Sequence, residues 1–171
     1  MTSSDGSLFM PDDYSRRWLI TATASLLAAP TLVGTAAARR PLTFSVNRSK
    51  EEWRTLLGTR AYRVLRRGAT EQPYSSPLLK EKRAGIYSCA GCAQRLFLSQ
   101  HKFGTTTGWP SFYHALKGSV VTRVDRSLNP PRDEALCSRC GGHLGHLFGD
   151  GPRPTGLRYC MNGVALQFLP A

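Results

Sequence analysis

Two copies of the motif Cys-x-x-Cys, separated by 44 residues, constrain the fold of this chain more than any other feature of its sequence. The first copy is Cys89-Ala90-Gly91-Cys92 and the second is Cys137-Ser138-Arg139-Cys140. Glycines lie inside the first motif and directly after the second, so each pair is expected in a tight turn with both thiols on one side. Four thiolates match the tetrahedral coordination of Zn²⁺ and leave no coordination position open. The sequence therefore predicts one structural zinc ion, held by Cys89, Cys92, Cys137 and Cys140.

Three other roles compete with zinc binding for the paired cysteines. A redox-active Cys-x-x-Cys pair belongs in a βαβ context, which the surrounding residues do not indicate. Two disulfides are conceivable in an oxidising compartment. An iron–sulfur cluster also uses four cysteines, although the common ferredoxin spacings differ. A doubled Cys-x-x-Cys motif is specific enough to favour zinc, and because the chain has five cysteines, one thiol is left over.

Residues 1–38 are predicted to be an export signal that is absent from the mature protein. The paired arginines of Ser15-Arg16-Arg17-Trp18-Leu19-Ile20 precede a modestly apolar stretch, and Ala36-Ala37-Ala38 provides an Ala-x-Ala cleavage site. The arginine pair resembles a bacterial twin-arginine signal, so we expect cleavage near Ala38 and export to the periplasm. An uncleaved amphipathic anchor or a disordered tail is the alternative. No apolar run is long and pure enough for a permanent membrane span.

Residues 39–171 form the predicted folded domain, in which helical signals precede strand signals. Ser49-Lys50-Glu51-Glu52 is a capping-box sequence that starts a helix, Gly58 stops it, and a second short helix starts at Thr59. Beyond residue 84, short apolar segments alternate with turn residues, which predicts strands at 85–89, 95–98, 119–125, 157–162 and 164–169. Helices followed by strands indicate an α+β domain, mainly antiparallel β.

Composition is consistent with a single folded domain. The chain has 171 residues, and its 41% of hydrophobic residues is enough for a core, while only 20% of charged residues argues against wholesale disorder. The formal net charge of +12 permits nucleic acid or an anionic surface as a partner but identifies neither.

The fifth cysteine, Cys160, is the predicted reactive group. In a strand, side chains alternate, so Arg158, Cys160 and Asn162 share one face. A neighbouring guanidinium favours the thiolate, and the Asn162 amide is a candidate to donate to an anion or hold a substrate. His143 and His146, expected in a glycine-rich turn, are candidates to deliver a proton near neutral pH. A lone cysteine is usually a small buried hydrophobic residue, but these neighbours favour the reactive interpretation.

The segment Thr107-Gly108-Trp109-Pro110-Ser111-Phe112 supplies candidate substrate-binding residues. Pro110 restricts Trp109 to an extended backbone, which defines the direction of the indole. Trp109 and Phe112 are candidates for an apolar wall around a small methyl-bearing group. For Phe112 taken alone, an ordinary core position is the better interpretation.

The order of these motifs resembles one known family. The two Cys-x-x-Cys pairs, Gly-Trp-Pro-Ser-Phe, His-x-Gly-His, Asp-Gly-Pro and Arg-Tyr-Cys-x-Asn resemble, in this order, the peptide methionine-R-sulfoxide reductases of the B type. The match runs from about Glu51 to Phe168. It implies a fold of two small antiparallel sheets with short N-terminal helices, and a zinc ion held away from the active site. It also implies an enzyme that reduces methionine-R-sulfoxide in oxidised proteins or peptides.

By resemblance, Cys160 is the nucleophile that attacks the sulfoxide sulfur and becomes a sulfenic acid. His143 and His146 match histidines that bind the oxygen or a water and assist its protonation.

The resemblance gives four further residues supporting roles. Arg158 and Asn162 match residues that tune and orient the nucleophile, and Asp150 is expected to hold Arg158. Trp109 matches the aromatic residue that packs against the methyl group of the substrate. A pocket with the methyl group on one side and oxygen donors on the other would select the R epimer.

Recycling of Cys160 is where the chain departs from many relatives. They carry a resolving cysteine just before Gly-Trp-Pro, where this chain has Thr107. We therefore expect a monomeric one-cysteine enzyme, reduced by a thioredoxin-like protein or by a small-molecule thiol. Gly163 and Gly149 replace the usual Ser and Pro, and both are interpreted as added backbone freedom near the site.

Two rival functions follow from the same sequence. A zinc-ribbon-like module could use the positive charge to bind nucleic acid, but that leaves Cys160, Arg158 and Asn162 without a role, and an export signal places the protein away from the genome. A hydrolase with zinc on His143 and His146 would need a third ligand and an open position, and the four cysteines compete better for the metal. We therefore expect no nucleic-acid partner.

Overall fold

Residues 41–171 are described by the structure, which is a computed structural model. The predicted export signal at 1–38 lies outside the described residues. In the part of the chain that is described, no helix is both long enough and apolar enough to cross a bilayer.

The described residues begin with one α-helix, α1 (Lys50–Arg67). The Ser49 hydroxyl accepts from the Glu52 N–H at 3.1 Å and the Glu52 carboxylate accepts from the Ser49 N–H at 2.7 Å, which confirms the predicted capping box. Gly58 has φ 64° and ψ 177°, a conformation that favours glycine, and it interrupts the helix. The two short helices expected from the sequence are therefore the two parts of α1. Gly68, with φ 65°, ends the helix in the left-handed conformation.

The rest of the described chain is mainly strands. They are β1 (Gly85–Cys89), β2 (Arg95–Leu98), β3 (Lys102–Phe103), β4 (Ser111–Phe112), β5 (Val120–Asp125), β6 (Arg132–Cys137), β7 (His143–Phe148), β8 (Arg158–Met161) and β9 (Leu166–Pro170). The first two predicted strands are confirmed with the same bounds, and those at 119–125 and 157–162 are confirmed with slightly shorter ones. The last predicted strand starts two residues late, because Gly163–Ala165 forms a 3-10 turn.

All pairings between the strands are antiparallel, and they form two sheets. The first sheet has the order β2-β1-β9, and the second has the order β3-β4-β8-β7-β6-β5. These sheets confirm the predicted α+β class, mainly antiparallel β with two small sheets.

A single hydrophobic core joins α1 to both sheets. Trp53 and Leu65 of α1 are buried in it, together with aromatic residues of both sheets. Phe97 of β2 stacks on Phe112 of β4 with ring centroids 4.3 Å apart, and Tyr87 of β1 meets Phe112 edge-on at 4.8 Å. Removing this much aromatic surface from water is a major stabilising contribution, and the edge-on and stacked geometries are favourable for ring pairs. The core thus fixes β4 and its neighbour β8 in place.

The prediction that the His143–His146 segment forms a turn is wrong. These residues start β7, which pairs with β6 on one side and β8 on the other. Gly145 makes this close pairing possible: it has φ 156°, and a Cβ added there would lie 2.1 Å from the carbonyl oxygen of Cys160. The glycine that suggested a turn is instead needed for close approach of two strands.

Candidate active site

The four paired cysteines converge where two hairpin turns meet. Cys89 ends β1 and Cys137 ends β6, and each is followed by a tight turn. The Ala93 N–H donates to the Cys89 carbonyl at 2.8 Å, and the Gly141 N–H donates to the Cys137 carbonyl at 2.9 Å. Gly141 has φ 66°, so a left-handed residue closes the second turn. These turns place both thiols of each pair on one side, as the sequence predicts.

The geometry of this cysteine cluster (Cys89, Cys92, Cys137 and Cys140) suits a tetrahedral metal ion. The four Sγ atoms all lie within 4.8 Å of one another, with 3.8 Å between Cys89 and Cys140 and 3.5 Å between Cys92 and Cys137. A tetrahedron with metal–sulfur bonds of about 2.3 Å has edges of about 3.8 Å. The separations are too long for disulfides, and all five cysteines are free thiols. Among the described residues, this is the only group of three or more candidate ligands close enough to share an ion.

Cys160 lies in β8, outside the cysteine cluster, and is half-buried. Its neighbours directly across the sheet are Ser111 of β4 and His146 of β7. Residues directly opposite in antiparallel strands have Cβ atoms about 5 Å apart on the same face, so the His146 imidazole and the Cys160 thiol are neighbours. The Sγ atom is 3.9 Å from the Thr107 hydroxyl oxygen.

Arg158 occupies the same face of β8 as Cys160 and is fixed from two directions. Its Nε and Nη2 atoms donate to the two carboxylate oxygens of Asp150, both at 2.8 Å. Its guanidinium carbon lies 4.2 Å from the centroid of the Phe148 ring. The pKa of Arg158 is raised, chiefly by the hydrogen bonds to Asp150 and further by the charge of the adjacent Cys160. A doubly held cation therefore stands beside the thiol.

His143 and His146 are each held by a carboxylate. Their rings are 5.3 Å apart between centroids. Nδ1 of His143 donates to Glu134 at 2.7 Å, and Nε2 of His146 donates to Asp125 at 3.1 Å. Arg123 donates to the other oxygen of Glu134 at 2.5 Å. Because an ionised carboxylate only accepts hydrogen bonds, these contacts fix which ring nitrogen of each histidine carries a proton.

Both carboxylates are held in their ionised form. Burial raises the pKa of Glu134 and is the largest single effect, but hydrogen bonds from His143 and Arg123 together outweigh it, so the pKa is lowered. The pKa of Asp125 is lowered to about 2, chiefly by the hydrogen bond from Ser127 and next by that from His146. The remaining nitrogen of His143, Nε2, is buried without a hydrogen-bond partner among the described residues. A buried polar atom of this kind is a candidate to bind a ligand or a water.

Asn162 is buried and both ends of its amide are used by the backbone. Its Oδ1 accepts from the Glu71 N–H at 2.8 Å, and its Nδ2 donates to the Leu144 carbonyl at 3.1 Å. The expectation that this amide donates to a bound anion is therefore not supported. The side chain instead ties the end of β8 to β7 and to the segment after α1.

Glu71 joins the segment after α1 to the chain that follows β8 and to Trp109. Its carboxylate accepts from the N–H groups of Gly163 at 2.5 Å and Val164 at 3.0 Å, and its carbonyl accepts from the Trp109 indole at 3.2 Å. A Cβ added at Gly163 would lie 1.9 Å from the Ser76 hydroxyl oxygen. Gly163 is thus needed for close packing. This corrects the interpretation of Gly163 as a source of added backbone freedom near the site. Gly149, by contrast, has open space around it.

The two aromatic candidates have different surroundings. Trp109 is half-buried, and the residue after it, Pro110, accepts a hydrogen bond from the Met161 N–H at 2.9 Å, directly beside Cys160. Phe112 is 0% exposed and stacks inside the core. The assignment of Phe112 to a substrate-binding wall is therefore wrong, because a ligand at the surface does not reach it. Trp109 alone remains a candidate.

Three residues of the site carry no signal in the sequence. Glu134, Asp125 and Glu71 belong to no motif, and their partners lie 9, 21 and 92 residues away. Glu134 lies on β6, which pairs with β7, and Asp125 lies on β5 on the far side of β6, so only the strand register reveals that they face the two histidines.

Comparisons with known proteins point to one family. The SelR domain family matches residues 57–170. A protein of Leptospira interrogans called peptide methionine sulfoxide reductase MsrB is 48% identical over 128 residues, which cover 74% of this chain and 98% of that protein. A protein of the same name from Methanosarcina barkeri is 50% identical over 125 residues, covering 72% of this chain and 88% of that protein. Among solved structures, the Mis18 "Yippee-like" domain has a TM-score of 0.43 at 18% identity, covering 52% of this chain and 98% of that one.

Proposed function

The chain belongs to the SelR family of peptide methionine sulfoxide reductases, which are oxidoreductases, and we propose that it reduces the R epimer of methionine sulfoxide in proteins through Cys160. The observation that carries this proposal is the position of Cys160. It is a partly accessible free thiol outside the cysteine cluster, opposite one imidazole and beside a guanidinium. The family membership also disfavours the alternative of a nucleic-acid-binding module.

The first step is attack by the Cys160 thiolate on the sulfoxide sulfur. The sulfoxide oxygen is transferred to the Cys160 sulfur and takes up one proton, which gives methionine and a sulfenic acid. The substrate sulfur gains two electrons and the cysteine sulfur loses two. Arg158 places a positive charge beside the attacking sulfur, where it interacts favourably with negative charge during the attack. Asp150 and Phe148 keep that cation in place.

The departing oxygen needs a proton, and we assign its delivery to His143 and His146. Glu134 and Asp125 each accept a hydrogen bond from one nitrogen of a ring and so fix the orientation of both imidazoles. The free Nε2 of His143 is the atom that we assign to the sulfoxide oxygen or to a water bound to it.

Selection of the R epimer is assigned to Trp109. Its indole is held by the Glu71 carbonyl at 3.2 Å, and the next residue, Pro110, is hydrogen-bonded to Met161 beside Cys160, so we assign the indole as a fixed apolar face of the substrate site. With the methyl group against this face and the oxygen towards the imidazoles, only one arrangement at the chiral sulfur brings the sulfur to Cys160.

The sulfenic acid must be reduced by an external thiol. In the Gly-Trp-Pro loop, the Thr107 hydroxyl oxygen lies 3.9 Å from the sulfur, and a hydroxyl cannot form a disulfide. The four other cysteines are grouped in the cluster. A first thiol, from a thioredoxin-like protein or a small molecule, forms a mixed disulfide and releases water, and a second thiol frees Cys160.

We assign the cysteine cluster to one structural Zn²⁺. The four soft ligands, their separations and the burial of three of them match a closed tetrahedral zinc site. When bound, the ion would cross-link the turns after β1 and β6, and no step of the reaction involves it.

The decisive experiment measures the reduction of separated R and S epimers of blocked methionine sulfoxide, with dithiothreitol as the reductant. We expect turnover of the R epimer alone, and a loss of at least about 10³-fold in kcat for Cys160→Ser. After one equivalent of substrate, dimedone should label Cys160. In Thr107→Cys, the introduced thiol should capture the sulfenic acid as a disulfide and remove the label. Turnover by Cys160→Ser, or equal turnover of both epimers, would contradict the proposal.

We also propose that residues 1–38 direct export through the twin-arginine route, on the strength of Arg16-Arg17 and the Ala-rich end of the segment. A fusion of the full chain to a reporter that is active only in the periplasm should give a signal. The signal should be lost with Arg16→Lys/Arg17→Lys. A signal that survives this double substitution would rule out the twin-arginine route.

A further inference from the structure

The exposed side of α1 carries an unusual arginine-lined surface. Two adjoining grooves, of about 570 and 500 Å³, share Thr59, Arg63 and Ala69 and together form one continuous depression. We call this depression the arginine groove. Four arginines line it: Arg54, Arg60, Arg63 and Arg67.

No ion pair among residues 41–171 neutralises the charge of the arginine groove. None of its four guanidinium groups forms a salt bridge within residues 41–171. The one carboxylate beside the groove, that of Glu71, is occupied by the N–H groups of Gly163 and Val164. Arg60, Arg63 and Arg67 follow one another at helical spacing, and like charges at such spacing repel. An anionic ligand would relieve this repulsion.

The lining of the groove also contains apolar groups suited to a polypeptide. Tyr62, Val64, Ala69 and Val164 lie among the arginines. Arg54 lies over the Tyr62 ring at 5.3 Å, which fixes one guanidinium while leaving its donors free. A surface that combines cations with apolar patches matches a peptide carrying acidic side chains better than a uniformly charged phosphate backbone or lipid surface does.

One segment joins the arginine groove to the active site. Gln72 and Ser75 line the groove. Between them, the Tyr74 N–H donates to the Gly108 carbonyl at 2.8 Å and the Tyr74 hydroxyl donates to the Thr106 carbonyl at 2.5 Å. The segment that borders the groove therefore also holds the loop that carries Trp109.

Tyr74 extends the same path as an exposed aromatic surface. It is 68% exposed and has φ 62°, in the left-handed region that favours glycine. Its ring is thus kept at the surface beside the Trp109 loop by two hydrogen bonds, which is the usual setting of an aromatic contact residue.

We propose that the arginine groove binds acidic residues flanking the methionine sulfoxide of a polypeptide substrate, so that the enzyme prefers oxidised methionines in acidic sequences. This inference rests on the proposed function. Electrostatic attraction of this kind mainly raises the rate at which the enzyme and the peptide associate productively. Dissolved salt weakens the attraction by screening the charges.

The test compares kcat/KM of the full chain for two peptides of equal length, each with one central methionine-R-sulfoxide, flanked either by glutamates or by glutamines. We expect the acidic peptide to be favoured about tenfold at low salt, and the ratio to fall towards one in 0.5 M salt. In Arg60→Gln/Arg63→Gln the ratio should fall at least about fivefold. Arg54→Gln/Arg67→Gln provides a second pair from the same groove.

The matched control is Arg95→Gln/Lys117→Gln, which removes two exposed positive charges outside the groove and should keep the ratio of the unsubstituted protein. An unsubstituted ratio near one, or a ratio unchanged in both groove variants, overturns the inference. Groove-dependent binding of a single-stranded oligonucleotide or of anionic vesicles, without a preference for the acidic peptide, also overturns it. Blocked methionine-R-sulfoxide separates the two proposals, because its lack of reduction would reject the proposed function itself, whatever the peptide ratio.

Discussion

Glu71 is the residue whose contacts reach furthest across the site. Its carboxylate accepts two backbone N–H groups, its own N–H donates to Asn162, and its carbonyl accepts from Trp109. The buried carboxylate thus fixes Gly163 and Val164 after β8, and the backbone carbonyl of the same residue holds the Trp109 indole. The carboxylate keeps this backbone in place, because buried N–H groups left unpaired are costly.

Replacing Glu71 with Ala should therefore destabilise the protein by about 2 kcal/mol, since two buried donors lose their acceptor. It should also raise the KM for methionine sulfoxide, because the backbone carbonyl of residue 71, which accepts from the Trp109 indole, is then held less firmly. Glu71→Gln keeps one acceptor oxygen and should recover part of both losses. Urea unfolding and steady-state kinetics measure the two effects. The control is Glu81→Ala, which removes a surface ion pair with Arg83 that solvent screens, so it should cost little stability. Equal losses in Glu71→Ala and Glu81→Ala would contradict the role of Glu71.

The sequence could identify only those residues that belong to a pattern within a few neighbouring positions. The paired cysteines, the capping box and the face shared by Arg158 and Cys160 all depend on spacing within a few residues, and the structure has each of them. The assignment of Phe112 to substrate binding was wrong because the same local pattern fits both a core residue and a residue that lines a pocket. Glu71 could not be found, since its partners lie about 90 residues away.

Strands β6 and β7 show the same limit at the level of elements. Neither was predicted, because β7 contains Gly145 within His-Leu-Gly-His and because β6 follows a proline-rich turn with charged residues at its start. Both segments have a weak intrinsic propensity to form strands, and pairing with a strand on each side holds them extended. This pairing brings Glu134 to His143, so the support of the two imidazoles is a property of strand register that no single segment encodes.

For the whole molecule, the cysteine cluster connects the two sheets. Cys89 ends a strand of the first sheet and Cys137 ends a strand of the second, so an ion bound there closes a long loop between them. The sequence indicated the ligands and the antiparallel class, whereas the division of the nine described strands into these two sheets depends on long-range pairing and came only by resemblance. The aromatic core lies across the same junction and supports it independently.

Loss of the metal should consequently loosen the junction between the sheets. Cys137→Ser leaves three ligands and should lower the zinc content to near zero. By analogy with a disulfide closing a loop of this length, the expected cost is about 4 kcal/mol, or a fall of about 15 °C in Tm. Elemental analysis and thermal unfolding measure both quantities. Cys160→Ser is the matched control, since it removes a thiol outside the cluster and should keep both the zinc and the Tm. A Cys137→Ser protein that holds a full equivalent of zinc, or an unsubstituted protein that holds iron instead, would disprove the assignment. His143 should also lose order in the metal-free protein, because β7 starts three residues after Cys140. A bound ion would thus support catalysis by keeping that strand in register.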